Sequence, residues 1–218
     1  MGKVKLYYAD GGPASRAVIL AVKALNLDVE YILTDSHAGQ NKTAEYIKMN
    51  PQSTVPTLDD NGKIVWDSHA ITRYLASAYG TSGSLFPNDP YQRAVIDQRL
   101  HFDDGVLMTR FGKAAGPVFR GLAKEYNKDD LESLYAALDI LEIFLSTGPY
   151  VAGSSLTVAD FSLISTVTTI DKFIGQLDAG RFPKVVGWIE TMKKLPYFEE
   201  ANTKPLDKMY QGLKARMG

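Results

Sequence analysis

The chain contains no cysteine in 218 residues. That excludes a disulfide framework, thiolate zinc sites, iron–sulfur clusters and a cysteine nucleophile. It also suits a reducing compartment. Neither charge sign is in excess: 24 basic and 25 acidic residues leave a net charge of −1, so there is no broad electrostatic footprint for nucleic acid. Long apolar runs are missing too. No segment approaches ~18 consecutive apolar residues, and Met1 to Asp10 lacks the apolar stretch of a signal peptide, so a soluble cytoplasmic protein is expected. Histidine is scarce. His37, His69 and His101 do not stand at metal-ligand spacing and there is no HExxH, so no metal site is expected. Gly11 and Gly12 complete neither GxGxxG nor a P-loop, and no GxSxG elbow occurs.

What is present is the composition of an ordinary globular protein, 45% hydrophobic and 22% charged, long enough for one large domain or two small ones. Val4–Tyr8 reads as a strand. Pro13 follows where a first helical residue belongs, since its missing N–H costs nothing there. The run Ala17 to Val22 is apolar nearly all round, so that helix, stopping near Asn26, should be buried. Val29–Leu33 is a second strand, and Thr43–Met49 a short helix closed by Asn50-Pro51. Strands at Val55–Leu58 and Lys63–Trp66 flank Asp59-Asp-Asn-Gly62, a hairpin signal. Asp67-Ser68 opens a helix with Ile71, Tyr74, Leu75 and Ala78 on one face. The order β-α-β-α-β-β-α implies a mixed four-stranded sheet. Turn residues fill 80–90. Helices are expected at 91–120, 129–145, 157–173 and 183–195, with no strand beyond residue 90. The chain thus divides into an α/β domain, 1–80, and an all-α domain, 90–218.

Two local features carry chemistry. In Thr54-Val-Pro-Thr57 the proline removes a ladder donor and pushes Val55 to an extended conformation. A cis bond there would leave the N–H and C=O of Val55 free for an extended ligand. An edge-strand proline with a trans bond is the commoner arrangement. Asp67-Ser68 stands at a helix start, where free N–H groups and partial positive charge favour carboxylates. Ser68 can hold a carboxylate and Asp67 an ammonium, together an α-amino-acid head group. Simple helix capping is the ordinary role of such a pair.

Taken together these segments resemble a cytosolic glutathione S-transferase over essentially the whole chain. Asn50-Pro-Gln-Ser-Thr-Val-Pro-Thr-Leu58 is similar to the family's cis-proline segment. Ile64-Val-Trp-Asp-Ser-His-Ala-Ile71 is similar to its γ-glutamyl-binding helix start. Ser155-Leu-Thr-Val-Ala-Asp-Phe161 is similar to its capping box, with Thr157 the cap and Asp160 reaching back. Asp97 to Phe102 and Leu195 to Asn202 resemble the insect delta and epsilon classes, epsilon more closely. The resemblance implies a thioredoxin-like first domain that binds glutathione and a helical domain that supplies a hydrophobic acceptor site. It implies a cis Val55–Pro56 bond, pairing of Val55 with the cysteinyl part of glutathione, and a γ-glutamyl head group on Asp67 and Ser68. Gln52, Ser53 and Asn41 are further glutathione-binding candidates. A homodimer is implied as well, for which His69, His101, Asp103 and Asp104 are interface candidates.

Four positions depart from the family's pattern. Gly12 stands where a serine donates to the glutathione sulfur. Ser53 and Asn41 replace histidines, and Gly112 replaces an arginine. A free thiol has a pKa of ~8.5, and lowering it by ~2 units needs ~2.7 kcal/mol of preference for the anion. Gly12 offers no hydroxyl. Ser15, one turn on, is the candidate substitute, with Tyr8 second. Met108, Phe111, Phe119 and Tyr210 are the candidate acceptor pocket, expected to favour hydrophobic electrophiles. The expected activity is conjugation of the glutathione thiolate to such electrophiles, with glutathione a co-substrate rather than a bound cofactor. A carrier of apolar ligands with weak or lost conjugation is the alternative, as is glutathione-dependent elimination or isomerisation. Because the chain has no thiol, the ligand must bring the reactive sulfur. The same absence argues against thioltransferase-like relatives, which use a cysteine at the first helix.

Overall fold

The computed structural model describes residues 3–81, 83 and 85–217, the side chains of 216 and 217 excepted; residues 82 and 84 of the expected linker lie outside it. Four strands, β1 (Val4–Tyr8), β2 (Val29–Leu33), β3 (Thr57–Asp60) and β4 (Lys63–Trp66), form one sheet in the order β2-β1-β3-β4. β1 runs parallel to β2, and β3 is antiparallel to both β1 and β4. The sheet is mixed, as the element order implied. β3 begins at Thr57 rather than Val55, because Pro56 has no N–H to give the ladder.

Helices α1 (Pro13–Ala24) and α3 (Ser68–Tyr79) cover one face of this sheet, and Val18, Val22, Ile71 and Leu75 pack on Leu6 and Leu58. Short α2 (Ala44–Met49) lies on the other face. There Tyr46 meets Tyr7 edge-on, with ring centroids 5.9 Å apart. The helical region comprises α4 (Pro90–Phe102), α5 (Thr109–Phe119), α6 (Lys128–Phe144), α7 (Val158–Ile174), α8 (Pro183–Lys193) and α9 (Lys204–Met217). Helix α7 runs through its core, and Val158 to Ile170 are all buried. The capping box at its start is present. Asp160 accepts from the Thr157 N–H (2.9 Å) and also from the Val151 N–H and Trp188 Nε1. Burial pushes its carboxyl up to about 6 against those hydrogen bonds.

Two differences from the expected helices matter for the site. The single helix expected over 91–120 is broken at Asp103–Met108 by a π-helical stretch. The wider turn brings Asp103 inward, where it is 3% exposed. Helix α9 was not expected at all. Leu206, Met209, Tyr210 and Leu213 stand at i, i+3, i+4 and i+7 behind Pro205, a spacing that marks it.

The two regions are joined through Arg16 of α1, which is fully buried. Its Nε donates to the Gly11 carbonyl (2.9 Å) and Nη2 to the Ser165 carbonyl (2.7 Å). Its remaining donors reach Thr168 Oγ1, Asn202 Oδ1 and Thr169 Oγ1. Burial pulls the guanidinium down to about 9, which leaves it charged at neutral pH.

Candidate functional site

One end of the sheet gathers the candidate residues, and the strand register shows why. Thr57 pairs with Trp66 on β4 and with Tyr7 on β1. The residues just before Thr57, Val55 and Pro56, therefore adjoin Asp67 and Ser68 on one side and the turn after β1 on the other. The Val55–Pro56 peptide is cis. Neither the N–H nor the C=O of Val55 is hydrogen-bonded to a described residue. The loop is held from behind. Tyr46 Oη donates to the Thr54 carbonyl (2.8 Å), and Asn50 Nδ2 donates to that carbonyl (3.0 Å) and to Thr57 Oγ1 (2.9 Å).

Asn41 is buried and its Nδ2 donates to the Ser53 carbonyl, while its Oδ1 is buried without a hydrogen-bond partner among the described residues. Ser53 adopts φ +53. Gln52 is exposed, with its N–H donating to Asn50 Oδ1.

Asp67 caps α3 by accepting from the Ala70 N–H (3.0 Å) at φ +73, a conformation that costs a non-glycine residue energy. It is exposed, so one carboxylate oxygen remains open. Ser68 lines a cavity of about 60 Å³ with Pro13, Ala14, His69, Asp103 and Met108, which brings the starts of α1 and α3 side by side. His69 Nε2 stands 3.2 Å from Asp103 Oδ2. Burial works against its charged form, but the hydrogen bond and charge of Asp103, aided by Asp67 and Asp104, outweigh it and raise its pKa. Asp103 is thus buried against His69, while His101 and Asp104 are exposed.

The first turn of α1 differs from expectation. Ser15 is 1% exposed, and its Oγ accepts from the Ala9 N–H (3.1 Å). The hydroxyl is turned into the β1–α1 connection. Tyr8 is half-buried against the sheet core, edge-on to Tyr31 at 5.9 Å. Gly12 is the N-cap of α1, without a side-chain cap, and the N–H groups of Gly12, Ala14 and Ser15 have no partner among the described residues. Gly12 opens onto a cavity of about 430 Å³ walled by Leu33, His37, Met209 and Leu213, with the Lys208–Asp10 ion pair (2.5 Å) at its edge.

The four acceptor-pocket candidates are not brought together. Met108 lines the small cavity at Ser68. Phe111 is core, 6% exposed and edge-on to Phe119. Phe119 and Tyr210 do share a wall, with Tyr126 and Phe173. Gly112 is exposed, and a Cβ there would meet nothing within 4 Å. The residues beside Gly12 that sequence reading missed, Met209 and Leu213, sit on the unexpected α9. A larger cavity of about 560 Å³ lies under α2, lined by Tyr7, Tyr46 and Ile64, and includes none of the candidate residues. Among the described residues no group of three or more His, Asp or Glu could hold a metal ion, and no helix is long and apolar enough to cross a membrane.

Comparison with known proteins finds relatives over most of the chain. The model of the glutathione S-transferase N-terminal domain matches residues 2–77, and that of the C-terminal domain matches residues 107–196. Glutathione S-transferase 1 of Manduca sexta is 39% identical over 198 residues, covering 90% of this chain and 91% of its own. An epsilon-class glutathione S-transferase from the housefly, Musca domestica, superposes with a TM-score of 0.93 at 39% identity over 98% of both chains. A glutathione transferase homolog from Drosophila mojavensis, solved with bound glutathione, superposes with a TM-score of 0.91 at 36% identity, covering 99% of this chain and 98% of that one.

Proposed function

Because this chain belongs to the glutathione S-transferase family, we propose that it conjugates glutathione to an apolar electrophile, with the tripeptide laid along the end of the sheet where Val55, Ser68 and α1 meet. The observation that carries this reading is the unpaired backbone of Val55 at a cis proline, beside a helix start that bears a carboxylate and a hydroxyl. Val55 offers one donor and one acceptor to the cysteinyl unit. The open oxygen of Asp67 takes the γ-glutamyl ammonium, and Ser68 with the first amides of α3 takes the carboxylate. Gln52 and Ser53 lie toward the glycyl end, with Asn41 holding the Ser53 carbonyl from behind. Glutathione is a co-substrate here, and nothing in the reaction calls for a bound cofactor.

The sulfur then faces the free amides of the first turn of α1. A helix N-terminus contributes up to ~1–2 kcal/mol to an anion, so these amides depress the thiol pKa by about one unit. The thiolate attacks an electrophilic carbon held in the cavity beside Gly12. A carbon–sulfur bond forms and the leaving group departs with its electron pair. Proximity and orientation supply the rest. Ser15 acts as a positioning residue that holds Ala9 and the turn. The family's homodimer is part of this reading, with His101 and Asp104 exposed for it.

Retention on immobilised glutathione, followed by turnover of a single-ring aryl halide, tests the proposal. Retention with turnover is expected. Retention without turnover would make the chain a carrier, and failure to be retained would overturn the reading.

A further inference from the structure

Beyond the cavity at Gly12 the rings of Phe119, Tyr126, Phe173 and Tyr210 enclose a second space of about 150 Å³. Phe173 stands edge-on to both neighbours, with centroids 4.9 Å from Phe119 and 5.1 Å from Tyr210. Tyr126 is fixed because its Oη donates to the Phe173 carbonyl (2.7 Å). An apolar cavity of this volume holds about one benzene-sized ring. Leu213 lines this space and also the cavity at Gly12, so the two adjoin at one side chain.

The charge around it has one sign to spare. Lys214 lines the space and makes no ion pair or hydrogen bond with a described residue. Lys172 stands 5.2 Å over the Tyr210 ring, but Asp207 neutralises it at 2.6 Å. Among the described residues no carboxylate lines the space. Aromatic walls suit a ring, and the surplus ammonium suits an anion at the rim.

We propose that this space is a second acceptor subsite, which seats a distal aromatic ring carrying an anionic substituent, with Lys214 meeting the anion. The proposal rests on the glutathione-transfer reading, because the reacting end of the acceptor must lie beside the sulfur at Gly12. It names the acceptor class: two-ring aromatic electrophiles with an acidic group on the ring remote from the reacting carbon.

The test uses two-ring aryl halides that differ only in a distal carboxylate or its methyl ester, with a single-ring aryl halide as reference. In the unaltered protein kcat/KM should favour the carboxylate roughly two- to fivefold, the range of an exposed ion pair. Lys214→Glu should invert that preference. Tyr210→Leu should lower kcat/KM for both two-ring acceptors by roughly two- to tenfold relative to the single-ring one, the range of a lost ring–ring contact. Each readout is a ratio within one variant, so a general loss of activity cancels. A carboxylate-to-ester ratio that Lys214→Glu leaves unchanged overturns the proposal, as does a preference for the ester in the unaltered protein. Turnover of the single-ring halide alone overturns the second subsite and leaves glutathione transfer standing. No turnover of any halide, with no retention on glutathione, overturns both.

Discussion

At Gly12 the first helix starts with neither a side-chain cap nor an acidic residue in its first turn. Its φ of −62° suits any residue, and a Cβ there would come no nearer than 4.0 Å to the Ala9 carbonyl. Gly12→Ser should therefore be accepted without strain. It should add a few tenths of a kcal/mol as a cap and lower the bound-thiol pKa by about one further unit. Ser15→Ala should lower stability by about 1 kcal/mol through the lost bond to Ala9 and leave the bound-thiol pKa in place. Ultraviolet titration of bound glutathione reads both, and a rise of a full unit in Ser15→Ala would restore Ser15 as the donor. At His69 the pKa is raised, so its pairing with Asp103 stabilises the fold fully below ~6.5 and ceases to do so as pH rises through the higher folded value. His69→Gln should then lower the melting temperature more at pH ~6 than at pH ~8.5. Equal losses at the two values would mean that the charged pair contributes nothing.

At the scale of elements, α9 closes over the turn that follows β1. Gly11 has φ +83, and a Cβ on it would overlap Met209 Cβ and the Pro205 carbonyl. Gly11→Ala combines backbone strain with that overlap. It should cost about 1–3 kcal/mol and loosen α9, seen as faster proteolytic clipping after residue 203. Clipping at the unaltered rate would show that the contact does not hold the helix. The other elements were legible to different degrees. Pro13, the Asp-Asn-Gly turn and Asp67-Ser68 are local signals, and α1, the hairpin and α3 start where they say. The π-helical stretch at Asp103 was not legible. Gly105 marks a weak point in the helical pattern, but only packing against His69 makes an inward Asp103 worthwhile. Helix α9 carried a readable spacing in Leu206, Met209, Tyr210 and Leu213. Its polar remainder and Gly212 obscured it.

Across the whole molecule, Arg16 ties the site to the helical region with bonds to the turn, to α7 and to Asn202. Its planar fork satisfies acceptors on three segments at once, which an ammonium cannot. Arg16→Lys should cost about 2–4 kcal/mol, since several buried acceptors lose their donor. Urea unfolding measures it, and a midpoint near that of the unaltered protein would count against this role. The sequence by itself determined the order of the four strands and of the helices through α8, and the helix start at Asp67-Ser68. Each of those follows from a neighbour's missing N–H, a cap or a period. Only the tertiary structure decided that Ser15 turns to Ala9, that Asp103 turns inward, and that α9 walls the cavity at Gly12. Lys208 and Asp10, at the edge of that cavity, lie 198 positions apart in the chain. No local pattern specifies such a meeting, which is set by how the two regions pack.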